Sequence, residues 1–277
     1  MSSSGLTGAG FDLDAYFARI GYDGPREPTL EVLKRLHALH PAAIPFENID
    51  VLLERGVDIG LPAIQAKLVS GKRGGYCFEH NGLFGAALDA LGFQTEGLLA
   101  RVLFRLPEGP SRPRTHKALR VTIDGEAWMA DVGFGGCVLT TPLRIAPGAQ
   151  STPQEDFRLV FESDGEMTLQ CLDGEWTNVY RLSPHPAADI DYELSNWFTS
   201  THPKSVFRAV LMAARTTPQA RYTLLQNRLT VRPKGGELRR EDLDAQALAE
   251  TLRRDFGLGV QDDWKPLLAK IAADGVP

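Results

Sequence analysis

The run Arg73-Gly74-Gly75-Tyr76-Cys77-Phe78-Glu79-His80-Asn81 sets a cysteine just after a Gly-Gly pair and at the head of a helix-like segment. A helix N-terminus presents unpaired N–H groups and a partial positive charge, which favour a thiolate. The same N–H groups are suited to holding the oxyanion of a tetrahedral intermediate. The glycines permit a sharp turn and leave room for a substrate beside the sulfur. An isolated cysteine is more often a small buried hydrophobe, and that reading is kept for Cys137 and Cys171, which have no comparable setting. His80, one helical turn beyond Cys77, is either a base or a structural side chain supporting the turn.

A second signal lies downstream. Asp124-Gly125 marks a two-residue hairpin turn between strands expected at 117–123 and 126–132. In that register Ile123 faces Glu126, Ala118 faces Asp131 and His116 faces Gly133, so His116 and Asp131 are diagonal neighbours on one face. Diagonal positions lie about 7–8 Å apart, within reach of an imidazole–carboxylate hydrogen bond. A slip of one residue would separate them. An aspartate that accepts from one imidazole nitrogen fixes the tautomer and leaves the other nitrogen to take a thiol proton. Cys77, His116 and Asp131 thus read as nucleophile, base and orienter. A structural His-Asp pair is the plainer alternative. Zinc is the weaker one, since no fourth ligand or short ligand spacing accompanies the set.

The elements that must position these groups change character along the chain. Helices are expected from Thr29 to just before Pro41, over 62–69, and from Cys77 to just before Gly92, forming a small bundle. From Thr95 the period becomes two, with strands near 100–105, 117–123, 126–132, 157–161, 167–172 and 175–182, an antiparallel sheet or barrel. A strand near 228–231, a turn at Pro233-Lys234-Gly235-Gly236 and a helix through Leu248, Leu252 and Phe256 close the chain. The fold class is α+β, with no internal repeat.

The 277 residues are 43% hydrophobic and carry a formal charge of −5, a globular composition without the basic excess that nucleic acid or anionic lipid would select. The longest apolar stretch, 82–93, is broken by Asp89, so no membrane span is expected. Three widely spaced cysteines form neither a disulfide framework nor a CxxC site, which points to a reducing cytoplasm. The Ser/Gly-rich residues 1–10 read as a disordered leader without a targeting signal.

Taken together, these residues resemble the arylamine N-acetyltransferase family. Arg73 to Asn81 matches its nucleophile motif, while Thr115-His116 and Asp131-Val132-Gly133-Phe134-Gly135 match the segments that supply its His and Asp. Similar stretches are Tyr16 to Tyr22, Ile44-Pro45-Phe46-Glu47-Asn48 and Asn196 to Phe207, so the resemblance spans nearly the whole chain. It implies a helical bundle at 1–94 bearing the cysteine, a β-barrel at 95–205 bearing His and Asp, and a C-terminal α/β lid at 206–277, with a cysteine-protease-like Cys-His-Asp arrangement. It further implies ping-pong transfer from acetyl-CoA, a co-substrate and not a tightly bound cofactor, through a Cys77 thioester to an arylamine, arylhydrazine or hydrazide. Gly135 and Gly136 are then the candidates for contact with CoA, and Phe46, Tyr76, Val102, Phe134 and Phe207 for the acceptor pocket. Arg19, Glu47 and Arg73 would form a buried charge network beneath the nucleophile loop. A homodimer stays open.

Three rival readings remain. An amide synthase of the same family, closing a polyketide macrolactam, would keep the site and change the acceptor. A peptidase or transglutaminase-like enzyme would use the same three groups without CoA. A small-molecule binding or scaffold protein would leave Cys77 inert.

Overall fold

Asp12 caps the first helix, α1 (Leu13–Ile20), by accepting from Ala15 N, and Gly21 ends it with a left-handed φ of 71°. The structure, a computed structural model, describes residues 11–107, 109 and 111–276; the Ser/Gly-rich leader lies outside them. Helix α2 (Leu30–Ala43) is capped by Thr29 and runs through Pro41 instead of stopping before it. The proline falls in the last turn, where its missing N–H removes one bond while Ile44 N still closes on His40 O at 2.8 Å. Short α3 (Ile49–Leu52) follows. α4 (Leu61–Gln65) then widens into a π-helical turn, Ala66–Ser70, where a plain helix was expected.

Helix α5 (Cys77–Ala90) is buried over most of its circumference, as its weak amphipathicity requires. Leu83, Phe84, Ala87 and Leu88 pack with Tyr16, Leu33, Leu36 and Leu68 of the bundle and with Leu119 and Val121 of the sheet beside it. α5 is therefore a shared wall between bundle and barrel, with its N-terminus at the barrel rim.

The barrel-like sheet has eight antiparallel strands: β2 (Gln94–Val102), β3 (His116–Ile123), β4 (Glu126–Ala130), β5 (Leu143–Arg144), β6 (Ala149–Ser151), β7 (Asp156–Phe161), β8 (Met167–Asp173) and β9 (Glu175–Pro186). Their spatial order is β5-β4-β3-β2-β9-β8-β7-β6. Gln150 nearly closes the ring: its side chain accepts from Arg144 N and donates to Arg144 O, both at 2.8 Å, linking the two edge strands. The β3–β4 hairpin adopts the counted register, Ile123 opposite Glu126 and Leu119 opposite Ala130. Asp124 and Gly125 take φ of 51° and 79°, the paired positive values of a type I′ turn.

The remaining sheet joins chain segments far apart in sequence. β1 (Phe46–Glu47) pairs with β10 (Met212–Thr216), followed by β11 (Ala220–Leu225), β12 (Arg228–Pro233) and β13 (Arg239–Asp242). Asn48 secures the junction, donating to Phe207 O and Val210 O and accepting from Met212 N, each at 2.8 Å. Helices α6 (Asp189–Thr201), α7 (Ala245–Arg254) and α8 (Lys265–Asp274) complete the chain, with Trp264 at the centre of the last core cluster.

Candidate active site

Cys77 is the first residue of α5, and the segment before it is fixed by close backbone approach. A Cβ on Gly74 would lie 2.1 Å from Pro45 O, and one on Gly75 would lie 2.5 Å from a Glu79 carboxylate oxygen. The space expected for substrate at the Gly-Gly pair is thus taken by the protein itself. Glu79 Oε2 reaches back to accept from Tyr76 N at 2.9 Å, capping the helix that carries the thiol.

Beneath this loop lies a buried charge cluster whose membership differs from the expectation. Arg73 pairs with Glu47 at 2.7 Å and Asp50 at 3.2 Å, and Lys67 bridges Asp50 at 2.8 Å and Glu79 at 2.7 Å. The Arg73 guanidinium also covers the Trp264 ring at 4.6 Å. Arg19 stands apart: it donates to Leu68 O and Ala43 O, closing the ends of neighbouring helices. Burial pushes the Glu79 carboxyl up, with Lys67 acting against it. Burial works against charge on Lys67 too, yet the surrounding carboxylates hold its ammonium well above the ordinary range.

His116 opens β3 and faces Asp131, one residue past β4, through a 2.7 Å bond from Nε2 to Oδ2. The carboxylate is otherwise saturated by Tyr180 Oη at 2.8 Å, Asn81 Nδ2 at 2.9 Å and Gly133 N at 2.9 Å. Asn81 also donates to Lys117 O and accepts from Val132 N, while His37 accepts from Asp131 N. One asparagine, placed one turn beyond Cys77, therefore joins the nucleophile helix to both strands of the hairpin. Gly133 presses on the same helix, where a Cβ would come within 2.9 Å of the Cys77 α-carbon.

Burial opposes charge on His116, but the Asp131 carboxylate, aided by the neighbouring Cys77 sulfur, outweighs it and holds the imidazolium well above its usual range. Asp131 is fully buried, which would raise it; His116, Asn81 and Gly133 N together keep it below the usual carboxylate range. With Nε2 committed to Asp131, Nδ1 is the nitrogen left for sulfur. Cys77 Sγ lies 3.5 Å from Thr115 O, next to His116 in the chain. His80 is turned elsewhere, toward His40 and Pro45 O.

The expected aromatic candidates fall into two groups. Phe46, Tyr76 and Phe207 cluster with Cys77, Phe207 lying 6.1 Å from Phe46 and 5.8 Å from Tyr76 by ring centroids. Tyr76 is buried, with its hydroxyl on Asn196. Phe134 stands edge-on to His116 at 5.1 Å and packs with the barrel core. Val102 pairs with Tyr180 and lies outside the Cys77 cluster. Gly135, at φ 80°, is covered by the Phe46 ring, whereas Gly136 is exposed.

A cleft of about 750 Å³ opens where Thr115 meets α6, lined by Leu99, Arg101, Arg114, Pro186, Leu194 and Phe198 among others. None of the sequence-derived pocket residues lines it. Tyr180, His37 and this cleft also escaped the sequence reading; Tyr180 had no motif around it, and both it and Val179 are buried where the β8–β9 register shifts, so alternation does not single it out. Among the described residues no group of three or more His, Cys, Asp or Glu is arranged to hold a metal. No helix there is long and apolar enough to cross a membrane.

A thiol, an imidazole and a carboxylate in this order are chemically suited to acyl transfer, and a family model described as N-acetyltransferase matches residues 29–265. The arylamine N-acetyltransferase of Mycobacterium tuberculosis is 43% identical over 256 residues, covering 91% of this chain and 90% of that protein. The Mycobacterium marinum arylamine N-acetyltransferase structure superposes with a TM-score of 0.90 at 38% identity, covering 94% of this chain and all of that one. The structure of the same enzyme in complex with CoA gives 0.88 at 37% identity, with 96% of this chain covered. The chain belongs to the arylamine N-acetyltransferase family of acyltransferases.

Proposed function

We propose that this protein transfers an acetyl group from acetyl-CoA to the nitrogen of an aromatic amine or hydrazine through a thioester on Cys77. The observation that carries the reading is the buried His116–Asp131 pair at 2.7 Å beside a thiol at a helix start. His116 Nδ1 takes the Cys77 proton, and the thiolate attacks the acetyl carbonyl. First-turn N–H groups of α5 are suited to the oxyanion. The imidazolium returns its proton to the departing CoA sulfur. In the second half the amine attacks the acetyl-enzyme, His116 accepts the amine proton, and Cys77 leaves.

Asp131 holds the imidazole in the tautomer that both halves need. The cleft at Thr115, with Arg101 and Arg114 on its wall, is our candidate entrance for the substrates. Phe46, Tyr76 and Phe207 supply flat apolar surface for an aromatic acceptor, and Phe134 faces the base. A cytoplasmic setting suits the three unpaired thiols. A homodimer would bury the exposed Ile190, Leu194 and Trp197 of α6, which sedimentation at varied concentration tests.

Intact mass after brief exposure to acetyl-CoA, then to hydralazine or an arylamine, tests the chemistry. An acetyl adduct on Cys77 that vanishes as acetylated amine appears is the expected result. No adduct on folded, reduced protein would refute acetyl-CoA as donor.

A further inference from the structure

Two buried imidazoles beside the nucleophile, His40 and His80, have no part in the acyl-transfer steps above. They form a chain: Tyr16 Oη to His40 Nδ1 at 2.9 Å, His40 Nε2 to His80 Nδ1 at 3.0 Å, and His80 Nε2 to Pro45 O at 3.2 Å. A carbonyl oxygen can only accept, so His80 Nε2 must carry a proton. A neutral His80 then offers a lone pair at Nδ1, His40 must donate from Nε2, and His40 Nδ1 must accept from the Tyr16 hydroxyl. One arrangement of protons satisfies every group. Charging His80 would set two N–H groups against each other, consistent with burial holding both imidazoles neutral.

The end of the chain is the residue before Phe46. Pro45 O also receives Gly75 N at 3.4 Å, so one carbonyl ties β1 to the nucleophile loop. His80 touches Phe46 by a second route, its ring nearly parallel to the phenyl at 21° with centroids 6.3 Å apart. Gly135 covers the same ring and Phe207 stands across from it. Phe46 is thus held by its peptide and by its ring, and His80 contributes to both holds.

We propose that His80 is a positioning residue for acceptor recognition: its hydrogen bond to Pro45 O and its stacking on Phe46 fix that ring beside the Cys77 thiol. The inference rests on the acetyl-transfer reading. It concerns the second half-reaction, because Phe46 belongs to the aromatic cluster, while the proton path of the first half runs through His116. His40 and Tyr16 act through His80 by fixing its tautomer.

The two half-reactions separate the possibilities. Acetyl-enzyme formation is followed by intact mass with acetyl-CoA alone, and acceptor dependence with aniline as the probe. His80→Leu is expected to raise the KM for aniline about tenfold while acetyl-enzyme forms at about the wild-type rate. His80→Gln, whose amide can both accept from His40 and donate to Pro45 O, is expected to restore KM to about wild type. An unchanged KM in His80→Leu, or an equal fall in both half-reactions, overturns the proposal; a merely structural role would lower the amount of competent enzyme and leave KM alone. Should His80→Leu fail to fold, Tyr16→Phe removes a single hydroxyl and is expected to raise KM about threefold. Nitrogen NMR of the wild-type protein with labelled histidine gives an independent reading: both imidazoles neutral with the proton on Nε2 is expected, and a proton on His80 Nδ1 overturns it. A wild-type protein that forms no acetyl-enzyme removes the acetyl-transfer reading and this proposal with it, an outcome distinct from an unchanged KM.

Discussion

Lowering the pH from 7 to 5 is expected to remove a large part of this protein's stability through three histidines of the helical bundle. Burial lowers His37 and His80 to about 4 and holds His40 well below its ordinary value. In the unfolded chain each titrates near 6.5. Below that value the unfolded state takes up protons that the native state refuses, so their stabilisation is complete above 6.5 and is lost as pH falls toward 4. Between pH 7 and 5, His37 and His80 each remove about 2 kcal/mol, and His40 adds to the loss in the same direction. His116 acts with the opposite sign: its raised value contributes stability that is full below 6.5 and declines at higher pH. Over the same interval it offsets the loss by about 1 kcal/mol. Urea denaturation at pH 7, 6 and 5 measures the sum, at least about 3 kcal/mol, against a usual total of about 5–15 kcal/mol. A change below about 1 kcal/mol would refute the reasoning. So would imidazolium signals from His40 or His80 in folded protein at pH 6.

Other perturbations have sharper local targets. Cys77→Ala should gain no mass with acetyl-CoA yet unfold within about 1 kcal/mol of wild type, since it removes one small buried atom; an adduct at normal rate would remove Cys77 from the mechanism. Asp131→Asn should slow acetyl-enzyme formation by about a thousandfold or more, because the charge holding the imidazolium is lost; a loss under about tenfold would show that orientation by Asp131 is dispensable. Tyr180→Phe takes one of four donors from that carboxylate, and should cost about 2 kcal/mol by denaturant titration; wild-type stability would mean that the bond contributes nothing. Gly74→Ala drives a methyl group against Pro45 O, and a loss of about 3 kcal/mol is expected in thermal unfolding. An unchanged melting temperature would show that β1 yields freely.

Local signals carried the site further than the fold around it. Asp124-Gly125 sets the hairpin register by turn chemistry alone, which is why His116 and Asp131 are legible as neighbours before any tertiary structure is known. Cys77 is legible for the same reason, its helix start being written in the residues around it. The rest depends on partners distant in sequence. Lys67, within the π-helical turn, joins the charge cluster by pairing with Asp50 and Glu79, while Arg19 is drawn away by carbonyls left open at helix ends. Strand β1 has only Phe46 and Glu47, too short for any period to appear, and exists because β10 supplies its hydrogen bonds. Helix α6 inverts the usual pattern: Ile190, Leu194 and Trp197 share one face that is exposed, while the buried side carries Tyr192, Asn196, Thr199 and Ser200. The cleft at Thr115 is a space between elements, and a space has no residue pattern of its own.

The pairing of β1 with β10 also dictates when a working site can first exist. Asn48 and Met212, joined by a hydrogen bond, are 164 residues apart in the chain. At synthesis rates of about 5–20 residues per second, the ribosome needs about 8–30 seconds to deliver the second after the first. The nucleophile helix is complete long before then, so Cys77 waits on a nascent chain whose Phe46 strand has no neighbour. Fragments ending before β10 would carry Cys77, His116 and Asp131 in sequence and still lack the strand that pairs with Phe46 and Glu47. Completion of the β1–β10 pairing is thereby coupled to translation of the last third of the chain.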